Sequence, residues 1–277
     1  MTPRSFVKMH GLGNDFVVVD ARREPFVLDQ AAARAVADRR TGVGCDQLIV
    51  LEPPANGAAD VFMRIRNADG GEVEACGNAS RCVAALIMEE TGRDRCTVET
   101  QAGLLHAAAL RTGEIAVDMG ELRTAWRDIP LARQMDTLHL DLACGPLRDP
   151  VAVNIGNPHA VFFVADVSAS DLASLGPQLE HDPLFPERAN IGVAQLVGPD
   201  RLRVRVWERG VGLTRACGTG ACAAAAAAHR RGLTGRKVEV RLDGGPLAVE
   251  WREDGHMVMT GPVATSFTGV FADSLLP

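Results

Sequence analysis

Lysine is scarce in this chain of 277 residues, which has only Lys8 and Lys237. Enzymes that use pyridoxal phosphate hold it as a Schiff base on a lysine, so few positions are open to that cofactor. The chain also lacks an apolar run long enough to cross a bilayer, which takes about 20 residues. Residues 1–16 contain no apolar core of a signal peptide. We therefore expect a cytoplasmic protein without a membrane partner.

Basic residues are also fewer than acidic residues, and the net charge is −6. Nucleic-acid-binding domains carry a basic face, so this balance argues against a nucleic-acid partner. Seven cysteines in a chain without a signal peptide indicate free thiols in a reducing compartment. The length favours two domains, and a hydrophobic fraction of 47% is ample for their cores.

A cysteine stands where a helix is expected to begin in the second half of the chain. Cys217 lies in the sequence ACGTGAC, which leads into an alanine run, and alanine is the best helix former. The run ends in cationic residues and Gly232, a typical helix stop. The free N–H groups and the dipole at a helix start favour an anion, so we expect the thiolate form of Cys217.

The first half of the chain repeats this arrangement around Cys76, whose segment EACGNASRC opens a predicted helix that ends at Gly92. Cys76 and Cys217 are 141 positions apart, and so are Asn67 and Glu208. The rest of each half consists largely of strand-like segments, so we predict two similar α+β domains. A pseudo-twofold axis between them would bring Cys76 and Cys217 to opposite walls of one cleft.

Two facing thiols suit the inversion of a carbon that carries one acidic hydrogen. One sulfur removes a proton as a thiolate, the other delivers a proton to the opposite face, and the reverse reaction exchanges their roles. Helix N-termini supply positive potential for the carbanion. His159 and Glu208 are the residues best suited to tune the thiol pKa values. The polar residues expected to orient an amino-acid-like substrate are Asn14, Gln47, Asn67, Asn157, Asn190 and Arg209.

These residue types also have commoner roles. A zinc site is disfavoured because the cysteine spacings are not the paired Cys-x-x-Cys of structural sites, so no metal is expected. His159 could be structural, and Glu208 with Arg209 could be a surface ion pair. A separate hypothesis is a non-catalytic binding protein, or a dithiol redox sensor in which oxidation joins Cys76 to Cys217. Free cysteine is often simply buried, and we expect that role for Cys45, Cys82, Cys96, Cys144 and Cys222.

Several segments of the chain resemble the diaminopimelate epimerase family. They are residues 8–16, 41–47, 67–70, 72–78, 156–159, 207–210 and 216–223. The resemblance implies a cofactor-independent isomerase that interconverts LL-2,6-diaminopimelate and the meso form by a two-base mechanism, in lysine and peptidoglycan biosynthesis. It implies that Cys217 accepts the proton and that Cys76 donates one. A proline-type racemase, or a related isomerase of the same superfamily, is the alternative.

The resemblance also implies a fold and a set of contacts. Each domain is a mixed β-sheet curled like a barrel around a central helix, with the active site in the cleft between the domains. The implied domains are residues 1–122, joined by the C-terminal tail 263–277, and residues 123–262. His159 and Glu208 would adjust the cysteines, and members are usually homodimers with a contact at Phe267. Substrate contacts are implied for Asn14, Gln47, Asn67, Gly77, Asn78, Asn157, Asn190, Glu208, Arg209, Gly218 and Thr219.

The chain departs from the family pattern at a few positions. The family usually has serine at position 71 and glycine at position 79, where this chain has Gly71 and Ala79. Ala79 lies in the first anion-binding turn, so it strains the turn if the position needs a positive φ and is harmless if the position is helical. Many relatives carry tyrosine at position 267, where Phe267 keeps the ring and loses the hydroxyl.

Overall fold

The computed structural model describes residues 4–26, 29–74 and 76–275, and the chain divides into two compact units. The first unit comprises Met1–Val117 and Gly261–Pro277, and the second comprises Asp118–Thr260. The predicted functional domains have boundaries a few residues further along the chain, and as functional domains they stay a prediction. Among the residues with described structure, no helix has both the length and the apolar character needed to cross a membrane.

The first unit is a mixed β-sheet with two helices, α1 (Gln30–Ala37) and α2 (Gly77–Thr91). Its strands are β1 (Ser5–Gly11), β2 (Asn14–Asp20), β3 (Gln47–Glu52), β4 (Val61–Asn67), β5 (Glu72–Val73), β6 (Arg95–Thr100), β7 (Gly103–Ala109), β8 (Ile115–Glu121) and β19 (Ala264–Val270). They are ordered β19-β1-β2-β3-β4-β6-β7-β8, with β5 also on β4. The pairs β2–β3 and β4–β6 are parallel, and the others are antiparallel. Helix α2 packs against β1, β2, β6 and β7.

The second unit has the same plan, with helices α3 (Leu172–Glu180) and α4 (Gly218–Arg230). Its strands are β9 (Ala143–Cys144), β10 (Leu147–Arg148), β11 (Val151–Asn154), β12 (Pro158–Phe163), β13 (Asn190–Gly198), β14 (Arg201–Glu208), β15 (Gly212–Thr214), β16 (Lys237–Leu242), β17 (Gly245–Trp251) and β18 (His256–Gly261). The sheet order is β11-β12-β13-β14-β16-β17-β18, with β15 also on β14 and β9–β10 as a separate hairpin. Here β12–β13 and β14–β16 are the parallel pairs.

The strand register shows the repeat at the level of single residues. Phe16 of β2 lies opposite Gln47 of β3, and His159 of β12 lies opposite Asn190 of β13. Both members of the first pair are 143 positions before their counterparts in the second. The predicted α+β fold with two pseudo-symmetric halves is therefore confirmed.

The central helix of each unit is enclosed by its sheet. Helix α4 packs against β11, β12, β13, β14, β16 and β17, and residues 221–228 are all buried. A helix that is apolar all round belongs in a core, and alanine lets the strands approach it closely. Gly92 caps α2 with a φ of 68°, and Gly232 follows α4 with a φ of 69°, so both predicted stops are confirmed.

The last strand of the chain, β19, lies outside the hydrophobic pattern typical of strands. It follows β18 and pairs antiparallel with β1. Its sequence ATSFTGV has little hydrophobic alternation and its side chains are largely exposed, so pairing with β1, rather than burial, defines it. Helix α1 ends at Ala37, and the Asp29 side chain caps its start by accepting a hydrogen bond from the Ala32 N–H at 2.8 Å.

Candidate active site

Cys217 caps helix α4 in the second unit, as the sequence predicts. Its backbone is extended, and its Sγ accepts a hydrogen bond from the Gly220 N–H at 3.3 Å. The Thr219 hydroxyl lies 3.5 Å from the same sulfur. A Cβ at position 220 would lie 2.7 Å from Cγ2 of Val206 and 3.2 Å from the sulfur, so the turn requires glycine there. A backbone donor and a hydroxyl therefore converge on Cys217.

The structure corrects the protonation state expected for Cys217. Burial raises the pKa of its thiol well above the ordinary value, and the charge of Glu208 raises it further. Hydrogen bonds from Thr219 and the Gly220 N–H act in the opposite direction, as a helix start predicts, but they are outweighed. Cys217 therefore rests as a thiol hydrogen-bonded to Glu208, whose carboxylate also accepts a hydrogen bond from the Thr214 hydroxyl.

A chain of side chains connects His159 to this cysteine. His159 Nε2 lies 2.8 Å from Asn157 Oδ1, and Asn157 Nδ2 donates to the Thr219 hydroxyl at 3.4 Å. In this arrangement Nε2 carries the imidazole proton, because it faces a carbonyl oxygen. Nδ1 is buried, and the described part of the chain offers it no hydrogen-bond partner. Burial, together with the charge of Arg209, lowers the pKa of His159 to about 3, so the imidazole is neutral.

Asn190 orders the backbone at the end of β14. Its Oδ1 accepts a hydrogen bond from the Arg209 N–H at 3.0 Å, and its Nδ2 donates to the Pro158 carbonyl at 2.9 Å. The Arg209 guanidinium donates to the Glu187 carbonyl at 2.9 Å and is half-buried. Both ends of the buried Asn190 amide are thus used within the second unit.

Cys76 occupies the equivalent N-cap position of α2 in the first unit. Its carbonyl accepts hydrogen bonds from the Ser80 N–H and hydroxyl, each at 2.9 Å. Its half-buried sulfur lies 4.0 Å from Oδ1 of Asn14. The predicted N-terminal placement of Cys76 is confirmed, and the Asn14 group nearest to its sulfur is a carbonyl oxygen.

The direction of the Asn14 amide is set by charged neighbours. Asn14 Nδ2 donates to Asp46 Oδ2 at 3.0 Å, and its Oδ1 accepts from Asn78 Nδ2 at 3.1 Å. Asn78 Oδ1 in turn accepts from the fully buried Arg81 at 3.0 Å. An arginine only donates and a carboxylate only accepts, so the orientation of both amides follows from the ends of this chain.

Gln47 and Asn67 lie opposite each other on β3 and β4. Gln47 Nε2 donates to Asn67 Oδ1 at 2.9 Å, which joins two of the predicted substrate contacts. Gln47 Oε1 is buried, and no hydrogen-bond partner for it is found among the residues that the structure describes. Gln47 Oε1 is therefore a buried acceptor that could take a hydrogen bond from a ligand.

Three residues around helix α3 were missed from the sequence. Both oxygens of the buried Glu180 accept hydrogen bonds, one of them from Trp207 Nε1 at 2.7 Å. A Cβ on Gly176 would lie 2.5 Å from Cγ of Trp207, so the indole packs directly on the helix backbone. The one available signal was a glycine inside the helical segment LASLGPQLE, since such a glycine often marks a close approach.

The departure at position 79 is harmless. Ala79 is buried within the first turn of α2 and is helical, so it does not need a positive φ. Alanine is a better helix former than glycine, so the substitution favours α2.

The remaining cysteines and the lysines have structural partners. All seven cysteines are free thiols, and Cys45, Cys82, Cys96 and Cys222 are buried as expected, whereas Cys144 is half-buried. Both lysines form ion pairs, Lys8 with Asp15 at 2.6 Å and Lys237 with Glu250 at 3.2 Å. Over residues 4–26, 29–74 and 76–275, no group of three or more His, Cys, Asp or Glu side chains is arranged to hold a metal ion.

The fold is that of the racemase and epimerase class. A hydroxyproline epimerase from Agrobacterium vitis superposes with a TM-score of 0.71, covering 98% of this chain and 91% of its own. Its sequence identity is 18%, so this similarity establishes the fold and not the substrate.

Sequence similarity identifies the family. The family model for diaminopimelate epimerase matches residues 6–125 and 151–266. Diaminopimelate epimerases from Rhodospirillum centenum and Acidiphilium cryptum are 61% and 56% identical, each over 99% of this chain and over 94% and 98% of their own lengths. The chain belongs to the diaminopimelate epimerase family, and the predicted family and enzyme class, an isomerase, are confirmed.

Proposed function

We propose that this enzyme interconverts LL-2,6-diaminopimelate and meso-2,6-diaminopimelate without a cofactor, in lysine and peptidoglycan biosynthesis. The observation that carries the proposal is the placement of Cys76 and Cys217 as N-caps of equivalent helices in two repeated units of a diaminopimelate epimerase family member. We further propose that the enzyme acts in the cytoplasm on this small-molecule substrate.

The reaction needs one acid and one base. The Cys217 thiolate removes the α-proton and becomes a thiol, and the electron pair of the broken C–H bond stays on the substrate as a carbanion. The Cys76 thiol then delivers its proton to the opposite face and becomes a thiolate. The proposal therefore requires both sulfurs to reach the same α-carbon from opposite sides. The reverse reaction begins from Cys76.

Cys217 must lose its proton before it acts, because burial keeps it a thiol. The S–H is hydrogen-bonded to the Glu208 carboxylate, so we propose that this carboxylate accepts the thiol proton when the thiolate forms. Thr219 and the Gly220 N–H then stabilise the anionic sulfur. His159 acts on the same sulfur through Asn157 and Thr219, which is the proposed way in which it adjusts the thiol.

The substrate is an amino acid with two charged ends, and the polar residues of both units suit it. Backbone N–H groups at the two helix starts suit the carboxylate of the reacting centre and the charge of the carbanion. The Arg209 guanidinium suits a carboxylate, and Gln47 Oε1 suits an ammonium group. The proposed substrate contacts are Asn14, Gln47, Asn67, Gly77, Asn78, Asn157, Asn190, Glu208, Arg209, Gly218 and Thr219.

We propose a homodimer with a contact at Phe267. Phe267 lies on β19, and 49% of its surface is exposed. Its ring meets that of Phe6 edge-on, with 6.0 Å between centroids. A second copy placed against this strand would cover the exposed ring.

Incubation with LL-diaminopimelate in deuterated water tests the function. We expect the meso isomer to form with deuterium at the inverted α-position, without added metal or pyridoxal phosphate. Cys76→Ser and Cys217→Ser should each abolish epimerisation, and Cys144→Ser, which changes a half-buried cysteine outside the site, should leave it intact. Turnover of proline or hydroxyproline, with diaminopimelate inert, would instead establish the alternative racemase.

A further inference from the structure

Glu180 is a buried carboxylate outside the residues assigned to the reaction. It is the last residue of α3 and is 3% exposed. Oε2 accepts a hydrogen bond from Trp207 Nε1 at 2.7 Å, and Oε1 accepts one from the Gly210 N–H at 2.9 Å. Each oxygen therefore has its own donor.

This position is unfavourable for a carboxylate. The C-terminal end of a helix carries negative potential, and a buried charge is costly unless it is paired and hydrogen-bonded. Half-exposed Arg188 forms an ion pair with Glu180, with its Nη1 3.5 Å from Oε1. The carboxylate is therefore held by this pair and by two hydrogen bonds that lead to the end of β14.

The two donors flank the residues proposed to act in the reaction. Trp207 precedes Glu208 on β14, and Gly210 follows Arg209 in the adjoining turn. Successive side chains of a strand point to opposite faces of the sheet. Trp207 therefore points towards Glu180 on one face of β14, and the Glu208 side chain points to the other face. The hydrogen bond from Trp207 attaches Glu180 to the end of β14, and the hydrogen bond from the Gly210 N–H attaches it to the turn that follows.

We propose that Glu180 is a positioning residue that holds Glu208 beside Cys217 and sets the direction of Arg209. The role of Arg209 in this inference rests on the proposed function, whereas the effect on Cys217 does not. Asn190 secures the Arg209 N–H, and Glu180 secures the next N–H along the chain, so two consecutive amides are fixed by side chains from different elements.

Replacement by glutamine separates this role from packing. Glu180→Gln keeps the size of the side chain but leaves one acceptor oxygen, and the NH₂ group then faces either Trp207 Nε1–H or the Gly210 N–H. Two donors that face each other repel, so one of the two bonds is lost. Trp207→Phe removes the indole donor, and in that background the glutamine can turn its oxygen to Gly210 and its NH₂ away from any donor.

The experiment is a double-mutant cycle on the full-length enzyme. We expect Glu180→Gln to lower kcat/KM for LL-diaminopimelate by about tenfold or more, because a hydrogen bond to a charged group is lost. The double variant should recover most of that loss relative to Trp207→Phe alone. The second readout is the pH profile of Cys217 alkylation by iodoacetamide, resolved by peptide mapping. Glu180→Gln should move this profile to lower pH, since Glu208 raises the pKa of the Cys217 thiol and would lie further from it.

The two readouts distinguish the possible failures. A lower melting temperature with unchanged kcat/KM and an unchanged alkylation profile would show that Glu180 only stabilises the fold, and the inference would be overturned. The inference would also be overturned if Glu180→Gln and Trp207→Phe had additive effects on kcat/KM in the double variant. If the unsubstituted enzyme does not epimerise diaminopimelate, the proposed function fails, and the Cys217 alkylation profile still decides whether Glu180 positions Glu208.

Discussion

The buried imidazole of His159 gives a specific prediction about acid stability. Burial lowers its pKa to about 3, and the charge of Arg209 contributes. In the unfolded chain a histidine titrates near 6.5. Between about pH 3 and pH 6.5 the imidazole of His159 is protonated in the unfolded state and neutral in the folded state. The stabilisation from His159 is therefore fully present above pH 6.5 and is lost as the pH falls towards 3.

The size of the effect follows from the same two values. Each pH unit below 6.5 costs about 1.4 kcal/mol of unfolding free energy, so the second unit should lose about 2 kcal/mol between pH 7 and pH 5 through His159 alone. His159→Gln removes the titration and can still donate a hydrogen bond to Asn157 Oδ1. The variant should therefore lose about 2 kcal/mol less than the unsubstituted chain over the same interval, whatever its stability at pH 7.

Urea unfolding followed by tryptophan fluorescence measures this difference. The three tryptophans, Trp126, Trp207 and Trp251, all lie in the second unit, so the signal reports on the part of the chain that contains His159. The two proteins differ only at position 159, so the contributions of all other residues cancel in the comparison. Equal losses of stability from pH 7 to pH 5 would refute the assignment of a buried, neutral His159.

Two further predictions concern the start of α4. Gly220→Ala should destabilise the second unit by about 1–3 kcal/mol in urea unfolding, because the added Cβ would lie 2.7 Å from Cγ2 of Val206. Ala79→Gly at the equivalent position of α2 is the matched control, with an expected cost of about 1 kcal/mol or less from helix propensity. Glu208→Gln should shift the alkylation of Cys217 to lower pH, since the charge of Glu208 raises the pKa of that thiol. A profile that stays in place or moves to higher pH would contradict this cause.

The placement of both cysteines could be predicted because it depends on short-range chemistry. Small residues before an alanine-rich or apolar run specify a helix start, and the glycine stops specify its end. The repeat was visible as a constant spacing of 141 positions between Cys76 and Cys217 and between Asn67 and Glu208. The spacing between equivalent residues earlier in each half is 143 positions, and the strand register shows that these also correspond.

The protonation state of Cys217 and the role of Glu180 could not be predicted in this way. A helix start favours a thiolate, but the depth of burial decides the pKa of Cys217, and burial depends on the whole sheet around α4. Glu180 meets Trp207 and Gly210 only when α3 packs on the end of β14. No local pattern marks a carboxylate as buried, so contacts of this kind require the fold.

The two halves orient an equivalent amide in opposite directions. Asn14 and Asn157 are 143 positions apart, as are Phe16 and His159. In the second unit His159 donates to the carbonyl oxygen of Asn157, which turns its NH₂ towards Thr219. In the first unit a phenylalanine stands at the histidine position, and Asp46 instead accepts from the NH₂ of Asn14, which leaves the carbonyl oxygen towards Cys76.

This difference gives the two sulfurs surroundings of opposite polarity on the same scaffold. Next to Cys76 the Asn14 oxygen is an acceptor, which matches the S–H of a thiol. Next to Cys217 the Gly220 N–H, and the Thr219 hydroxyl at 3.5 Å, favour the anion once the proton has left. A symmetric pair of sites would give no preference for which sulfur holds the proton at the outset. The opposed amides make the two sites unequal, but at Cys217 the donors act against burial and the charge of Glu208, which keep the resting thiol protonated.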